Sequence, residues 1–255
     1  MHNAWYKIAG PAALLTMAAC ESSTSTNQRP ITLSFASQTD VGTASRANSV
    51  ANDITITVGS NTVVITKAQL VVRRLQLEQG DNTACADSDD DAPDADAGEC
   101  AEIKSGPILV DLPLNGTANT EVNASVPEGT YHEVHFHIHR PTGSSADQAF
   151  VTANPSFANT SIRVEGTFNG QPFVYTSDLT ANINLEFDPP IVINADNKNV
   201  TVQISLNTWF KVNGQVIDPT TANKGGANEA AVANNIRLSL RAFRDDDRNG
   251  DDDDR

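Results

Sequence analysis

Short stretches in which apolar and polar residues alternate recur between residues 31 and 212, and they limit the possible folds more than any other feature of the chain. A period of two sends successive side chains to opposite faces of a β-strand, one toward a core and the other toward solvent. Val, Ile, Thr and Asn are frequent, and Pro and Gly interrupt the alternation where turns are needed. We therefore predict an all-β protein, an antiparallel Ig-like or prealbumin-like β-sandwich.

The alternation can be converted into specific strands. We predict strands at 31–36, 53–58, 62–66, 68–78, 107–112, 120–126, 131–140, 161–168, 171–177, 180–187 and 199–212. Pairing must be interrupted at Pro189 and Pro190, because proline has no N–H to donate to a neighbouring strand. Trp209 and Phe210 are expected to close one end of the core.

The strongest hairpin signal is Asn169-Gly170 between two alternating runs. Asn and Gly tolerate the positive φ angles that a two-residue type I′ turn requires. The register that follows places Phe173 over Gly166, so that an aromatic ring covers a position without a side chain.

The segment 227–243 fits two structures. Its start is rich in alanine and follows Gly225-Gly226, which favours a helix after a break. Residues 236–241, in contrast, alternate as a strand does. We predict a short C-terminal helix, because four apolar residues trace one helical face: Val232, Ile236, Leu240 and Phe243.

The first thirty residues predict an exported, lipid-anchored protein. Lys7 precedes an apolar run of about 12 residues, too short to cross a bilayer as a helix. Two alanines followed by Cys20 resemble the processing site of bacterial lipoproteins, which implies that residues 1–19 are removed and that Cys20 carries the lipid. Residues 20–30 would form a polar tether. An ordinary secretory signal is the alternative, and it also exports the chain.

The position after Cys20 bears on which membrane holds the anchor. Glu21 stands where some Gram-negative lipoproteins retained at the inner membrane have Asp, so we expect the outer membrane of the bacterial envelope.

The net charge argues against a nucleic-acid partner. The formal charge is −15, and removal of 1–19, whose one charged side chain is Lys7, takes it to −16. The electric field of so negative a protein repels nucleic acids and anionic membrane surfaces but attracts cations. Eight acids lie between 87 and 102 and seven between 245 and 254, so the sandwich domain expected at 31–243 is closer to neutral, and 244–255 forms an acidic tail.

Once Cys20 is assigned to the lipid, Cys85 and Cys100 are the remaining cysteines. In an oxidising compartment we predict that they form a disulfide, which closes an acidic insertion at 85–100 and stabilises the fold by about 3 kcal/mol. A thiolate metal pair is the weaker alternative, because no histidine lies nearby.

Residues 131–139 contain four of the five histidines of the chain. On a strand, His135, His137 and His139 share one face, and same-face neighbours are about 7 Å apart. Neighbouring imidazoles could bind Zn²⁺ or Cu²⁺ if a carboxylate or water completed the shell. The alternatives are a solvated strand face and an acid sensor that protonates near pH 6.

The acidic tail contains the first part of a calcium loop. Its order resembles EF-hand and dockerin-like loops, with Gly250 at the sharp turn. The twelfth position, a bidentate Glu in EF-hands, falls after Arg255, so we expect weak affinity, about millimolar. A solvated tail is an equal alternative. The predicted calcium ligands are Asp245, Asp247, Asn249, Asp251 through its backbone carbonyl, and Asp253.

The arrangement of strands and turns suggests a family. The stretches 68–77, 126–131, 161–166 and 200–206 together resemble a family of bacterial lipoproteins with a β-sandwich domain of unknown function. The resemblance implies the architecture and the envelope location, and it implies no activity.

These observations favour a non-enzymatic, lipid-anchored module that binds a divalent cation or another envelope ligand. A structural or adhesive surface lipoprotein without metal is the alternative. A zinc-dependent hydrolase or hydratase comes third. The His-x-His pair resembles the zinc strand of α-type carbonic anhydrases. The sequence, however, has no nucleophile elbow, Walker loop or His-Glu-x-x-His helix. The sequence specifies no oligomeric state.

Overall fold

The computed structural model describes residues 27–38, 53–80, 100–196 and 198–254. The strands of this part of the chain are β1 (Gln28–Ser37), β2 (Ile54–Val58), β3 (Asn61–Glu78), β4 (Cys100–Lys104), β5 (Ile108–Asp111), β6 (Ala118–Pro127), β7 (Gly129–Ile138), β8 (Ile162–Phe168), β9 (Gln171–Ser177), β10 (Ala181–Ile193), β11 (Asn199–Ile204), β12 (Lys211–Val212), β13 (Gln215–Val216) and β14 (Leu240–Arg244). The helices are α1 (Gln148–Ala153) and α2 (Glu229–Arg237), with 3-10 turns at Pro155–Phe157, Leu206–Thr208 and Pro219–Ala222.

Two sheets form a β-sandwich, which confirms the predicted all-β class. The first sheet has the order β14-β11-β1-β6, and the second has the order β10-β7-β3-β8-β9, with β2, β4 and β5 also paired to β3. One pair departs from the antiparallel expectation, because β1 and β11 run parallel. A parallel pair needs a long connection, and these two strands are separated by most of the domain.

The core lies between the two sheets. Phe35 of β1 and Phe136 of β7 are both buried, and their rings meet edge to face with centroids 6.1 Å apart. At one end of the core, Trp209 and Phe210 are buried as predicted, and the Phe210 ring contacts that of Tyr175 at 5.2 Å between centroids.

The β8–β9 hairpin has the predicted turn and register. Asn169 and Gly170 have φ angles of 50° and 81°, and Phe173 lies opposite Gly166. A Cβ atom at position 166 would collide with the carbonyl oxygen of Val64 and lie 3.1 Å from Cε1 of Phe173. Only glycine fits at this position.

The two strands predicted at 62–66 and 68–78 are one continuous strand, β3. Its pairing shifts register twice, between Ile65 and Lys67 against β8 and between Arg73 and Gln76 against β7. Each shift reverses which residues face the core, because the side-chain period of a strand is two. The alternation of apolar and polar residues therefore changes phase within one strand. The sequence predicts no strand at the position of β4.

The predicted C-terminal helix is correct only for its first half. Helix α2 ends at Arg237, and Leu240 begins β14, which pairs antiparallel with β11. The strand interpretation of the last residues is the right one, because they complete the edge of the first sheet.

Two predicted boundaries also move. Strand β1 begins at Gln28, inside the predicted tether, where it pairs with Pro127 of β6. Strand β10, predicted to end at 187, continues to Ile193, and its pairing with β7 is interrupted between Glu186 and Ile191, where the two prolines lie.

Several sequence-based predictions concern residues that the structure does not describe. Cys20 and Cys85 lie outside the described ranges, while Cys100 begins β4, so the lipid anchor and the disulfide stay predictions. In the described part of the chain, no helix has the length and apolar character needed to span a bilayer.

Candidate metal centre

Strand β7 has the two faces that its sequence predicts. Val134, Phe136 and Ile138 are at most 1% exposed and lie in the core. His135 and His137 alternate with them, whereas His139 follows the last residue of the strand. His135 and His137 are thus held on the outer face of the large sheet.

His135 lies between two carboxylates. Its Nε2 atom is 2.8 Å from Oε2 of Glu78 and 3.3 Å from Oε2 of Glu133. Glu133 shares the outer face of β7 with His135, and Glu78, near the end of β3, lies directly opposite Glu133 in the register of the two strands. The ligating atoms of these three residues lie within 4.8 Å of one another.

Burial differs among the three side chains. Glu78 is 2% exposed and His135 is 8% exposed. The Glu133 side chain is 26% exposed, so this carboxylate forms the open side of the cluster. A ligand would reach the cluster past Glu133.

The cluster is one of two groups in the described residues that could hold a metal ion. An imidazole nitrogen with two carboxylate oxygens is a set that borderline divalent ions such as Zn²⁺ accept, and three protein ligands leave one position of a tetrahedral shell open. The sequence required a carboxylate to complete the shell, and the fold places two beside His135. It places neither His137 nor His139 in this group.

His139 has a carboxylate partner of its own. Its Nε2 atom lies 2.8 Å from Oδ1 of Asp147, a residue that is 2% exposed. The other carboxylate oxygen of Asp147, Oδ2, accepts a 2.8 Å hydrogen bond from the Thr142 backbone N–H. Burial alone would raise the pKa of Asp147, but the hydrogen bonds from Thr142, His139 and Ser144 and the charge of His139 together lower it. The pair anchors the loop between β7 and α1.

The second group lies in the acidic tail, which is packed against the first sheet. Asp245 is fully buried directly after β14. Its Oδ2 accepts hydrogen bonds from Thr201 Oγ1 at 3.0 Å and from the Gly250 N–H at 3.1 Å, and its Oδ1 accepts one from the Asn249 N–H. Burial raises the pKa of Asp245, and these hydrogen bonds oppose that effect. The description of this segment as a solvated tail is therefore wrong for Asp245.

The predicted calcium ligands are brought together in part. Oxygen atoms of Asp245, Asp247 and Asp253 lie within 4.8 Å of one another, and Gly250 makes the turn with φ of 84°. The Asn249 side chain bonds within the loop, because its Nδ2 donates to Asp247 Oδ2 and its Oδ1 accepts from the Asp251 N–H. Asp251 is predicted to contribute its backbone carbonyl, and its exposed side chain lies outside the group.

Another carboxyl group with a shifted pKa lies on β6. Partial burial of Glu121, together with the nearby charge of Asp111, raises its pKa to about 7. No sequence pattern predicts this shift, because it depends on the packing around β6.

Comparisons with known proteins give one distant match. No family model matches the chain, and no curated protein matches it. A solved structure, MbnP from Methylosinus trichosporium, is similar with 11% sequence identity over 78% of this chain and 82% of that chain, at a TM-score of 0.41. A likeness this distant carries no residue or activity over to this chain, and the resemblance to a lipoprotein family stays a prediction.

Proposed function

We propose that this protein is a non-enzymatic binding module of the bacterial cell envelope that holds a divalent cation, Zn²⁺ or Cu²⁺, between Glu78, Glu133 and His135. The observation that carries the proposal is the convergence of two glutamate oxygens on one imidazole nitrogen, at 2.8 and 3.3 Å.

The charge balance of the cluster favours a cation. A neutral imidazole offers at most one proton at Nε2, so it can donate a hydrogen bond along one direction to one carboxylate. Glu78, at 2% exposure, is shielded from water and needs a positive or hydrogen-bonding partner. A divalent cation in place of the shared proton satisfies both carboxylates and the imidazole at once.

The scaffold supports the same conclusion. His135 and Glu133 lie on a central strand whose other face is packed in the core, and Glu78 lies on the adjacent strand. Ligands on paired strands keep their separation better than ligands on loops, so little ordering is needed when an ion binds.

The location of the module in the envelope rests on the leader sequence. Lys7, the apolar run after it and the small residues before Cys20 support export and a lipid on Cys20, and Glu21 supports the outer membrane. Intact-mass analysis tests this part: a mature chain that starts at acylated Cys20 supports it, and a chain that retains Met1 overturns it. The same spectra, recorded with and without reductant, test the Cys85–Cys100 disulfide, because its reduction adds the mass of two hydrogen atoms.

Isothermal titration tests the metal centre. Zn²⁺ and Cu²⁺ are titrated into the untagged full chain, into Glu133→Gln and into His135→Gln. We expect one ion with at least about tenfold weaker binding in both variants, equivalent to about 1.4 kcal/mol. The matched control is His137→Gln, because His137 lies on the same strand face outside the cluster, and its binding should stay within about twofold.

The outcomes separate the competing functions. Binding that is lost in His137→Gln but kept in Glu133→Gln overturns the site. Absence of binding favours a structural or adhesive module. Stoichiometric zinc with hydrolysis of an activated ester, or hydration of CO₂, that disappears in Glu133→Gln would instead support a zinc enzyme.

A further inference from the structure

The loop at 245–253 lies on the outer face of the first sheet, and its contacts there are made by side chains of β11. Asn199 Nδ2 donates to the Asp246 carbonyl oxygen at 2.9 Å. Thr201 Oγ1 donates to Asp245 Oδ2 at 3.0 Å, and Gln203 Nε2 donates to the Gly250 carbonyl oxygen at 2.8 Å. Three successive outward-facing side chains of one strand therefore hold the loop in place.

The face beneath the loop is polar and yet buried. It includes side chains that point away from the apolar core and are at most 8% exposed: Thr32, Ser34, Asn199, Thr201 and Gln203. A polar face of this kind is stable only if its donors and acceptors are satisfied.

Two buried oxygen atoms of this face have no hydrogen-bond partner, Oδ1 of Asn199 and Oγ of Ser34. Nδ2 of Asn199 donates to the backbone of the loop, so this side chain points toward the loop. Ser34 lies opposite Thr201 in the strand register, and Thr201 bonds Asp245. An amide oxygen can only accept, so the absence of a donor to Asn199 Oδ1 among the described residues points to a bound species that supplies positive charge or protons.

We propose that Asp245, Asp247 and Asp253 bind a calcium ion, and that the Asn199 amide oxygen contributes from β11, either to the ion or to a water molecule bound to it. Every contributing atom is an oxygen, which suits the hard Ca²⁺ ion, and the set lacks the nitrogen or sulfur that Zn²⁺ and Cu²⁺ favour. The site is separate from the metal centre on β7 and does not depend on it.

The proposal gives the loop a function in the fold. An ion held by Asp245, Asp247 and Asp253 neutralises carboxylates that otherwise repel one another. It thereby secures the loop over the parallel β1–β11 pair and satisfies the acceptor beneath it.

Calorimetric titration of Ca²⁺ into the chelator-treated full chain tests the site. We expect one ion per chain, with an affinity at least about tenfold weaker in Asp247→Asn. Asp251→Asn is the matched control, because it removes the same charge from the same loop while its side chain lies outside the cluster, and it should change the affinity by less than about threefold. Heats that are absent up to about 10 mM Ca²⁺, or equal weakening in both variants, would overturn the site.

A second pair of variants tests the contribution of Asn199. Asn199→Ala and Gln203→Ala each remove one side-chain donor to the loop backbone, but only the first removes the unpartnered oxygen. Calcium affinity should fall at least about fivefold further in Asn199→Ala than in Gln203→Ala. Equal affinities would overturn the role of Asn199. Glu133→Gln should leave Ca²⁺ binding unchanged, which separates this test from that of the β7 centre.

Discussion

Phe35 and Phe136 meet edge to face across the sandwich, with ring centroids 6.1 Å apart and ring planes at 82°. Phe136 stands between His135 and His137 in β7, so this contact fixes the core side of the strand whose other side carries the metal centre. The position of the centre thus depends on packing between the two sheets.

Truncation of this contact should cost stability first. Phe136→Ala removes a fully buried ring and should lower the free energy of unfolding by about 3–5 kcal/mol. Urea denaturation followed by fluorescence measures the loss. A cost below about 1 kcal/mol would mean that the ring is not part of a packed core.

Gly166, which lies in the β8–β9 hairpin, gives a prediction about backbone packing. Gly166→Ala should destabilise the protein by about 2 kcal/mol or more, because the new methyl group collides with the Val64 carbonyl oxygen. Gly143→Ala is the control, since nothing lies within 4 Å of the added atom there and its φ is not positive. Thermal melts that show equal effects for the two variants would contradict the close approach of β3 and β8.

The buried Asp147 gives a prediction about stability and about how that stability depends on pH. Asp147→Asn removes the charge that faces His139 and should cost about 1.5–3 kcal/mol at pH 7. The pKa of Asp147 is lowered in the folded state, so its contribution is present above the unfolded pKa and is lost as the pH falls through the folded pKa. Urea midpoints should therefore differ at pH 7 and converge in acid. A constant difference would exclude a charged Asp147.

Glu121 predicts a pH dependence of the opposite sign. Its pKa is raised from 4.5 to about 7 in the folded state, so the protein loses stability as the pH rises through this interval. Glu121→Gln should be more heat-stable than the wild type at pH 8, with the difference shrinking toward pH 4. Asp111→Asn should move the loss to lower pH, because it removes the nearby negative charge. Parallel melting curves across this range would contradict burial of Glu121.

Local signals predicted much of the fold. The Asn169-Gly170 turn determines the β8–β9 register, and the alternation at 131–138 determines the two faces of β7, because both depend on neighbouring residues alone. The single strand β3 was missed as one element because its bulges reverse the alternation at Thr66 and around Arg74. The parallel pairing of β1 with β11 could not be predicted, because it joins distant segments.

In the candidate sites, too, residues close in sequence could be predicted and residues brought together by the fold could not. Glu133 could have been found beside His135, since the two are separated by one residue on a strand. Glu78 lies 57 residues from His135 in the sequence, and only the register of β3 against β7 brings it there. The contact of Asn199 with the acidic loop likewise depends on the position of β11 under that loop.

Anomalous diffraction from zinc-soaked crystals, measured at the zinc absorption edge, shows whether an ion binds between Glu78, Glu133 and His135. We expect a peak bounded by His135 Nε2 and the Glu78 and Glu133 carboxylates in the wild type, and a clearly weaker peak in Glu133→Gln soaked at the same zinc concentration. A peak at His137 or His139 with none at His135, or a peak of undiminished height in Glu133→Gln, would contradict the proposed centre.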